Sequence, residues 1–595
     1  MRRELTAGLV IVLGLAGAAQ TPGGVPLLAD DPLTALRVSS SRGRSEVVSA
    51  EGPGFTRAIR VTVGQPGQPW DVELRASLAR PVEQQDVGLI AFHARAVQSS
   101  DETGEVHFTV YAQKASPEWD KSMHATLAVG PGWQRFAFPF RWIASYESGR
   151  AIVAFGMGGR AQAVEVGGIE IAGFGRDYPI ETLPTTRFSY GGREPDAAWR
   201  RDAARRIDAI RKGDLVVAVV DRDGRPIDGA EVRLELRRHA FPFGSAVAAR
   251  QLLAASPDGE AYRRTIEELF SSATLENDLK WPPWEGDWGP DFNVPQTLAA
   301  LEWLKARRMS VRGHVLVWPG WSNLPRSITA LRGRPDAATL IPPMVLAHID
   351  DATRRTAAFV EEWDVINEPY ANHDLMDLAG PEIMRAWFQQ ARRNLPEAPL
   401  YLNDYGILSA HGADTAHQDH FEQTARFLLD GGAPLTGLGM QGHFGASPTS
   451  IETVKRVLDR FAALGLSIRI TEFDVDTDDE QLQADYTRDF LTMVFSHPAV
   501  AGFQMWGFWE GAHWRGRAAM FRRDWTEKPN GAAFRRLVND EWRTRGDGRT
   551  DTDGRFGGPA FFGAYDVTVT IGSRSRGVRL EHRRGEGPTI VRVEM

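Results

Sequence analysis

Trp363-Asp364-Val365-Ile366-Asn367-Glu368-Pro369 and Ile468-Arg469-Ile470-Thr471-Glu472-Phe473-Asp474-Val475 are two short apolar runs, each carrying a glutamate towards its end. Both read as buried strands that deliver a carboxylate at the C-terminal end. Outward from them the pattern recurs. Strand-like runs fall at 243–249, 272–275, 310–318, 363–368, 400–405, 435–443, 467–475 and 501–507, with helix-like stretches between several of them at 260–269, 296–308, 381–394 and 451–464. Repeated strand–helix units within 238–545 predict a closed (β/α)8, or TIM, barrel, whose active face is formed by the C-terminal strand ends. Polar and aromatic residues gather at those ends. A doubly wound open sheet is the structural alternative.

Two carboxylates on facing strand ends are what retaining glycoside hydrolysis requires: one protonates the leaving oxygen and the other attacks the anomeric carbon. Glu368 and Glu472 fall on the fourth and seventh runs. Sequence spacing does not report their separation, which retention sets at ~5 Å and inversion nearer ~9 Å.

The 595 residues are 42% hydrophobic and 25% charged, as in ordinary globular protein, and are long enough for several domains. The net charge of −8 comes without a large basic block, which gives no electrostatic reason to expect nucleic acid or anionic membrane as a partner. The absence of cysteine excludes disulfides, thiolate metal sites and cysteine nucleophiles. Arg2 and Arg3, the apolar run 9–15 and the small residues 17–19 read as a secretory signal over 1–20, so a secreted or periplasmic protein is expected, with an uncleaved anchor as the alternative.

Residues 36–175 alternate short β-rich runs with Gly, Pro and Ser turns, the pattern of an antiparallel β-sandwich. Within it Trp133 reads as core, whereas Trp70 and Trp119 are candidates for stacking on sugar. Residues 176–214 form a connector followed by a helix over 195–212. Residues 215–237 read as two strands around Asp223-Gly224-Arg225-Pro226, and the tail 548–595 is again β-like. We expect these two pieces to pair as one small β-sandwich split by the barrel.

The ordered set of strand-end motifs in 238–545 resembles glycoside hydrolase family 10, the endo-β-1,4-xylanases, and the first β region is loosely similar to the carbohydrate-binding modules found ahead of such barrels. The resemblance implies that Glu368, in Asn367-Glu368-Pro369, is the acid/base, and that Glu472, in Thr471-Glu472-Phe473-Asp474, is the nucleophile. Glu368 must then hold a proton through burial and the opposing carboxylate, and release it once the glycosyl-enzyme has consumed the nucleophile's charge. Asn367 would bond the sugar 2-hydroxyl. His443 and Asp474 would form a Glu–His–Asp chain with the nucleophile, and Gln441 would donate to the nucleophile or the sugar. Glu276, Asn277 and Lys280, in Glu276-Asn277-Asp278-Leu279-Lys280-Trp281, would grip the adjacent sugar, helped by His314, Trp318, Asn403, Tyr405, Trp506 and Trp514. The partner implied is xylan or a xylo-oligosaccharide, with no cofactor and no metal. Two local departures stand out: Pro319 follows Trp318 where many members carry a histidine, and Phe508-Trp509-Glu510 replaces a more polar loop. Other readings remain: a β-glycanase of the same superfamily acting on glucan or mannan, and a barrel that binds polysaccharide without cutting it.

Overall fold

The computed structural model describes residues 23–101, 103–585 and 587–595, so the expected signal at 1–20 lies outside the described residues. Two compact units are present. The first comprises the described residues up to 99 together with 106–127 and 132–187; the second comprises 100–105, 128–131 and 188–595.

The first unit holds two antiparallel sheets. One runs Gly43–Gly52, Phe55–Val63, Gln162–Gly175, Val87–Ser99, Gln134–Arg141, with Val25–Pro26 beside Gln162–Gly175. The other runs Arg37–Val38, Glu73–Ser77, Ala151–Gly156, Val106–Lys114, Lys121–Val129. Period-two alternation turns one side of each strand inward. Phe92 of the first sheet meets Phe155 of the second edge-on, with ring centroids 5.0 Å apart. Trp133 is half-buried, packed edge-on to Phe55 at 4.9 Å and covered by the Arg95 guanidinium at 4.8 Å. Trp70 and Trp119 stand exposed.

In the second unit eight parallel strands pair in chain order: β1 (Phe243–Val247), β2 (Ser272–Leu275), β3 (Ser310–Gly313), β4 (Glu362–Asn367), β5 (Leu400–Asp404), β6 (Gly437–Phe444), β7 (Ser467–Val475) and β8 (Val500–Met505). Gly244 opposite Gln504 closes β8 onto β1, which rules out the open sheet. Nearly every strand residue is buried because helices cover the outer face and side chains fill the inner one. The helices between them start on polar caps: Ser256, Asn293, Asp414, Ser450 and Asp479 each accept a hydrogen bond from a first-turn backbone N–H. The run expected over 310–318 stops as a strand at Gly313, which lies so close to the Trp363 ring that a Cβ there would come within 2.3 Å of it. Beyond that point the chain still follows β4, with Val317 N donating to Val365 O at 3.0 Å.

The barrel interior is charged. Arg312 of β3 forms a two-pronged ion pair with Asp364 of β4, and both are fully buried. Arg469 of β7 reaches across to Glu362 of β4, its Nε 3.1 Å from Oε2. Burial works to raise the Asp364 pKa, but Arg312 and His314 outweigh it and hold the carboxyl below its usual range.

Residues Lys212–Val220 pair with Arg555–Phe561 on one edge and Thr589–Glu594 on the other; Glu231–His239 pairs with Arg545–Arg549 and Gly563–Ile571, and Arg574–His582 extends that sheet. The strands before the barrel therefore join those after it. Leu215, Val217, Val232, Leu234, Tyr565, Val567 and Val593 are buried in the same continuous apolar core as the barrel residues.

Two outcomes follow from this packing. Arg312→Met leaves Asp364 buried without its cation and lowers stability by about 3–5 kcal/mol, whereas Arg312→Met with Asp364→Leu recovers most of that loss; urea unfolding midpoints read both. Truncation after Arg543 strips the partners from Leu215–Val219 and Val232–Leu236, and is expected to lower Tm by ~10 °C or more in a calorimetric scan. An unchanged Tm would show the tail to be dispensable.

Candidate active site

Asn367 closes β4, and Glu368 follows it with φ of +52°, a backbone conformation that costs a non-glycine residue roughly 1–3 kcal/mol. The turn is held by Glu368 N donating to Asn403 O at 2.8 Å and by Asn372 N donating to Glu368 O at 3.0 Å. It leaves the Glu368 carboxylate buried on the active face, where neutral amides surround it. Gln441 Nε2 donates to Oε1 at 2.8 Å, Asn367 Nδ2 to the same oxygen at 3.1 Å, and Asn372 Nδ2 to Oε2 at 3.4 Å.

Asn403, inside β5, joins the two glutamate strands. Its Nδ2 donates to Asn367 Oδ1 at 2.8 Å and to Glu472 Oε1 at 3.0 Å, while its Oδ1 accepts from Thr471 Oγ1 at 2.8 Å. The position opposite Asn403 on β6 is Gly439, and a Cβ there would come within 2.2 Å of Asn403 Oδ1. The glycine is what lets this side chain lie flat across the barrel mouth.

A register shift between Met440 and Gln441 sets Gln441 opposite Glu472 and His443 opposite Asp474. His443 Nε2 lies 3.3 Å from Glu472 Oε2, and Nδ1 lies 3.0 Å from Asp474 Oδ1. Asp474 Oδ2 in turn accepts from Trp514 Nε1 at 2.7 Å. Burial acts to raise the Asp474 pKa, but His443, with smaller help from Arg515 and His513, brings it below the usual carboxylate value. Glu472 thus ends a chain that runs through an imidazole to a second carboxylate. Gln441, opposite Glu472 in the register and expected to donate to it or to the sugar, gives a hydrogen bond to Glu368.

The remaining predicted residues ring this pair. After β2, Lys280 Nζ donates to Asn277 Oδ1 at 2.9 Å and lies 5.3 Å from the Trp318 ring centroid. Burial raises the Glu276 pKa, partly offset by Lys280, and Glu472 is close enough to add to the rise. His314 Nδ1 lies 2.9 Å from Asp364 Oδ2, which ties the site to the charged interior, and its ring meets Trp506 edge-on at 5.3 Å. The buried Nε1 of Trp318 has no partner among the described residues and is left as a donor. Tyr405 sits edge-on to His417 at 4.8 Å; burial, then Asp404, then Glu368 push its hydroxyl pKa up. Trp506 is buried as a floor, whereas Trp514 is partly exposed with its ring 4.8 Å from His443.

The Phe508–Glu510 departure is structural. Phe508 packs on Tyr262 at 4.6 Å, Trp509 stacks on Trp525 at 4.7 Å, and both belong to the continuous apolar core. Two contributors escaped the sequence reading. Asn372 is brought back onto Glu368 by the turn at Pro369, and its i+4 spacing is the only local hint. Asp101 accepts from Arg515 at 2.9 Å, Arg515 lies 4.0 Å over the Trp514 ring, and no sequence signal links positions so far apart in the chain. Among the described residues no group of three or more His, Asp or Glu is arranged to hold a metal ion, and no helix is long and apolar enough to cross a membrane.

Known proteins match the same region. The sequence model for glycosyl hydrolase family 10 matches residues 233–539. An anti-sigma-I factor, RsgI6, of Acetivibrio thermocellus is 34% identical over 65% of this chain and 49% of its own length. Endo-1,4-beta-xylanase 1 of Arabidopsis thaliana is 28% identical over 62% of this chain and 38% of its own. The chain thus spans about half or less of these relatives. Endo-1,4-beta-xylanase B of Thermotoga neapolitana is 27% identical over 49% of this chain and 86% of its own. The crystal structure of xylanase 10B from Thermotoga petrophila with xylobiose covers 51% of this chain and 95% of its own, at 25% identity and a TM-score of 0.45.

The site also carries a pH signature. Burial, reinforced by His443 and Arg515, lowers the His513 pKa from 6.5 to about 4. Between these values the unfolded chain takes up a proton that the native chain refuses, so stability falls as pH drops through this window. His513→Asn is expected to flatten the dependence; urea midpoints at pH 7 and pH 4.5 for both proteins test it, and equal slopes would remove His513 as a cause.

Proposed function

The chain belongs to glycosyl hydrolase family 10, and from that premise we propose that it is a retaining endo-1,4-β-xylanase that cuts internal bonds of xylan. The observation that carries this reading is the unequal setting of two buried glutamates linked through Asn403. Glu368 is surrounded by amide donors and Glu472 by an amide and an imidazole–carboxylate chain.

In the first step a Glu472 oxygen attacks the anomeric carbon as the glycosidic C–O bond breaks, and Glu368 gives its proton to the leaving oxygen. In the second step Glu368 takes a proton from water, whose oxygen displaces Glu472 from the same carbon. His443, backed by Asp474, stabilises the negative charge that Glu472 carries before attack and regains on release. Asn403 fixes Asn367, whose second amide hydrogen is then available to the sugar 2-hydroxyl as positive charge develops on the ring. Lys280, Asn277, Glu276 and Trp318 grip the neighbouring sugar, and binding energy spent there orients the reacting ring. Pro319 offers no side-chain donor, so selectivity at the reacting sugar rests on His314, Asn367 and the tryptophans. The basic start and apolar run of residues 2–19 support an exported enzyme.

Release of reducing sugar from xylan and from mixed-linkage glucan, for wild type and for Glu368→Gln and Glu472→Gln, tests the reading. We expect xylan to be cut, each variant to lose ~10³-fold or more in kcat, and the first-formed reducing end to be the β-anomer by proton NMR. A first-formed α-anomer would indicate inversion. Activity on glucan alone would overturn the substrate, and three equally inert proteins that still bind xylan would overturn catalysis.

A further inference from the structure

A second concave site lies in the first unit, on the outward face of the sheet that contains Glu73–Ser77, Val106–Lys114 and Lys121–Val129. Alternation along Val106–Lys114 sends Phe108, Val110 and Ala112 into the sandwich core and Thr109, Tyr111 and Gln113 to the opposite face. The turn Pro69–Asp71 and the segment ahead of Lys121 rise on either side. Together they enclose a cleft of about 570 Å³, within the range of pockets that hold small ligands or short oligomers.

Three features describe what fits there. Trp70 is 65% exposed and Trp119 is 40% exposed, and both line the cleft. Large aromatic faces left open to water beside a concavity are docking platforms for flat apolar surfaces. Trp119 is held at φ of +60°, a strained conformation for a bulky residue, in a loop tied by Lys114 N donating to Asp120 O at 2.8 Å; its ring is therefore presented by a preformed backbone. The floor is polar. Gln113 is 3% exposed and its Oε1 has no hydrogen-bond partner among the described residues, which leaves a buried acceptor for a ligand donor. The cleft carries charges of both signs: Glu73 receives the Tyr111 hydroxyl and Arg75, the latter at 3.2 Å, and Lys121 lies 5.5 Å from the Tyr111 ring centroid.

Open indole faces, a buried acceptor and polar groups able to hydrogen-bond match a ligand with flat C–H faces and many hydroxyls. We propose that this cleft is a binding site for a neutral β-linked pyranose chain, with Trp70 and Trp119 stacking on sugar faces and Gln113 Oε1 accepting from a hydroxyl. The choice of linkage rests on the activity proposed above; the site chemistry itself asks only for a pyranose chain. It is separate from the catalytic residues, so the chain has two places at which a polysaccharide binds.

Isothermal titration of the full chain carrying Glu368→Gln, with xylohexaose and separately with cellohexaose, counts these sites without hydrolysis. We expect one hexaose to show two sites per chain, and Trp70→Ala with Trp119→Ala to leave one. Gln113→Leu should weaken the second site roughly tenfold, the effect of one lost hydrogen bond. In the chain with Glu368 intact, turnover of a soluble xylotriose substrate by the tryptophan variants should equal wild type, which also shows that they fold. One site for both hexaoses, or two sites that survive both tryptophan replacements, overturns the proposal, as does displacement of the hexaose by a proline-rich peptide. A tryptophan-dependent second site in a chain that turns over no glycan would retain this proposal and dismiss only the catalytic one.

Discussion

One side-chain amide holds the candidate active site together. Asn403 Nδ2 donates to Asn367 beside one glutamate and to the carboxylate of the other, while its oxygen accepts from Thr471 on β7. Three strands that are distant in sequence are thereby fixed at one height of the barrel. The bond network demands space as well as partners, and Gly439 supplies it. Such positioning matters because catalysis by paired carboxylates depends on where the oxygens stand, with small displacements costing large factors in rate.

Beneath that layer the barrel departs from an apolar filling. Arg312, Asp364, Glu362 and Arg469 form buried ion pairs where branched aliphatic residues are the usual choice. Buried pairs of this kind are weak sources of stability, because desolvation consumes most of the attraction. Their contribution here is directional. Asp364 orients His314 beneath Trp506 while Arg312 keeps that carboxylate charged, so the interior charge acts as the support of the site above it.

Much of this was legible from local pattern. The repeated strand and helix runs that close into the barrel are properties of hydrophobic period and turn chemistry, which act over a few residues. The misplacements have physical causes of longer range. The third run stops as a strand at Gly313, and beyond it the chain follows β4 only through separate contacts such as that of Val317. Gln441 meets Glu368 because closing the barrel brings the ends of β4 and β6 within hydrogen-bond reach. The helix Ala337–Thr356 carries Pro342 and Pro343, which speak against a helix by propensity, yet packing of Ile341, Val345 and Ile349 into the core overrides them. Asp101 carried no sequence signal and Asn372 only its i+4 spacing from Glu368, because their contacts exist only after folding.

By itself, then, the sequence determined the repeated strand–helix plan, the exclusion of thiol chemistry and the two carboxylates, since each follows from residue type and spacing. Only the tertiary structure decided which donor serves which carboxylate, that Phe508 and Trp509 are core, and that Trp70, Trp119 and Gln113 share one cleft. Hydrogen bonds and ring contacts reach only a few ångströms, and which groups come within that reach is fixed by the closing of the barrel and the stacking of sheets.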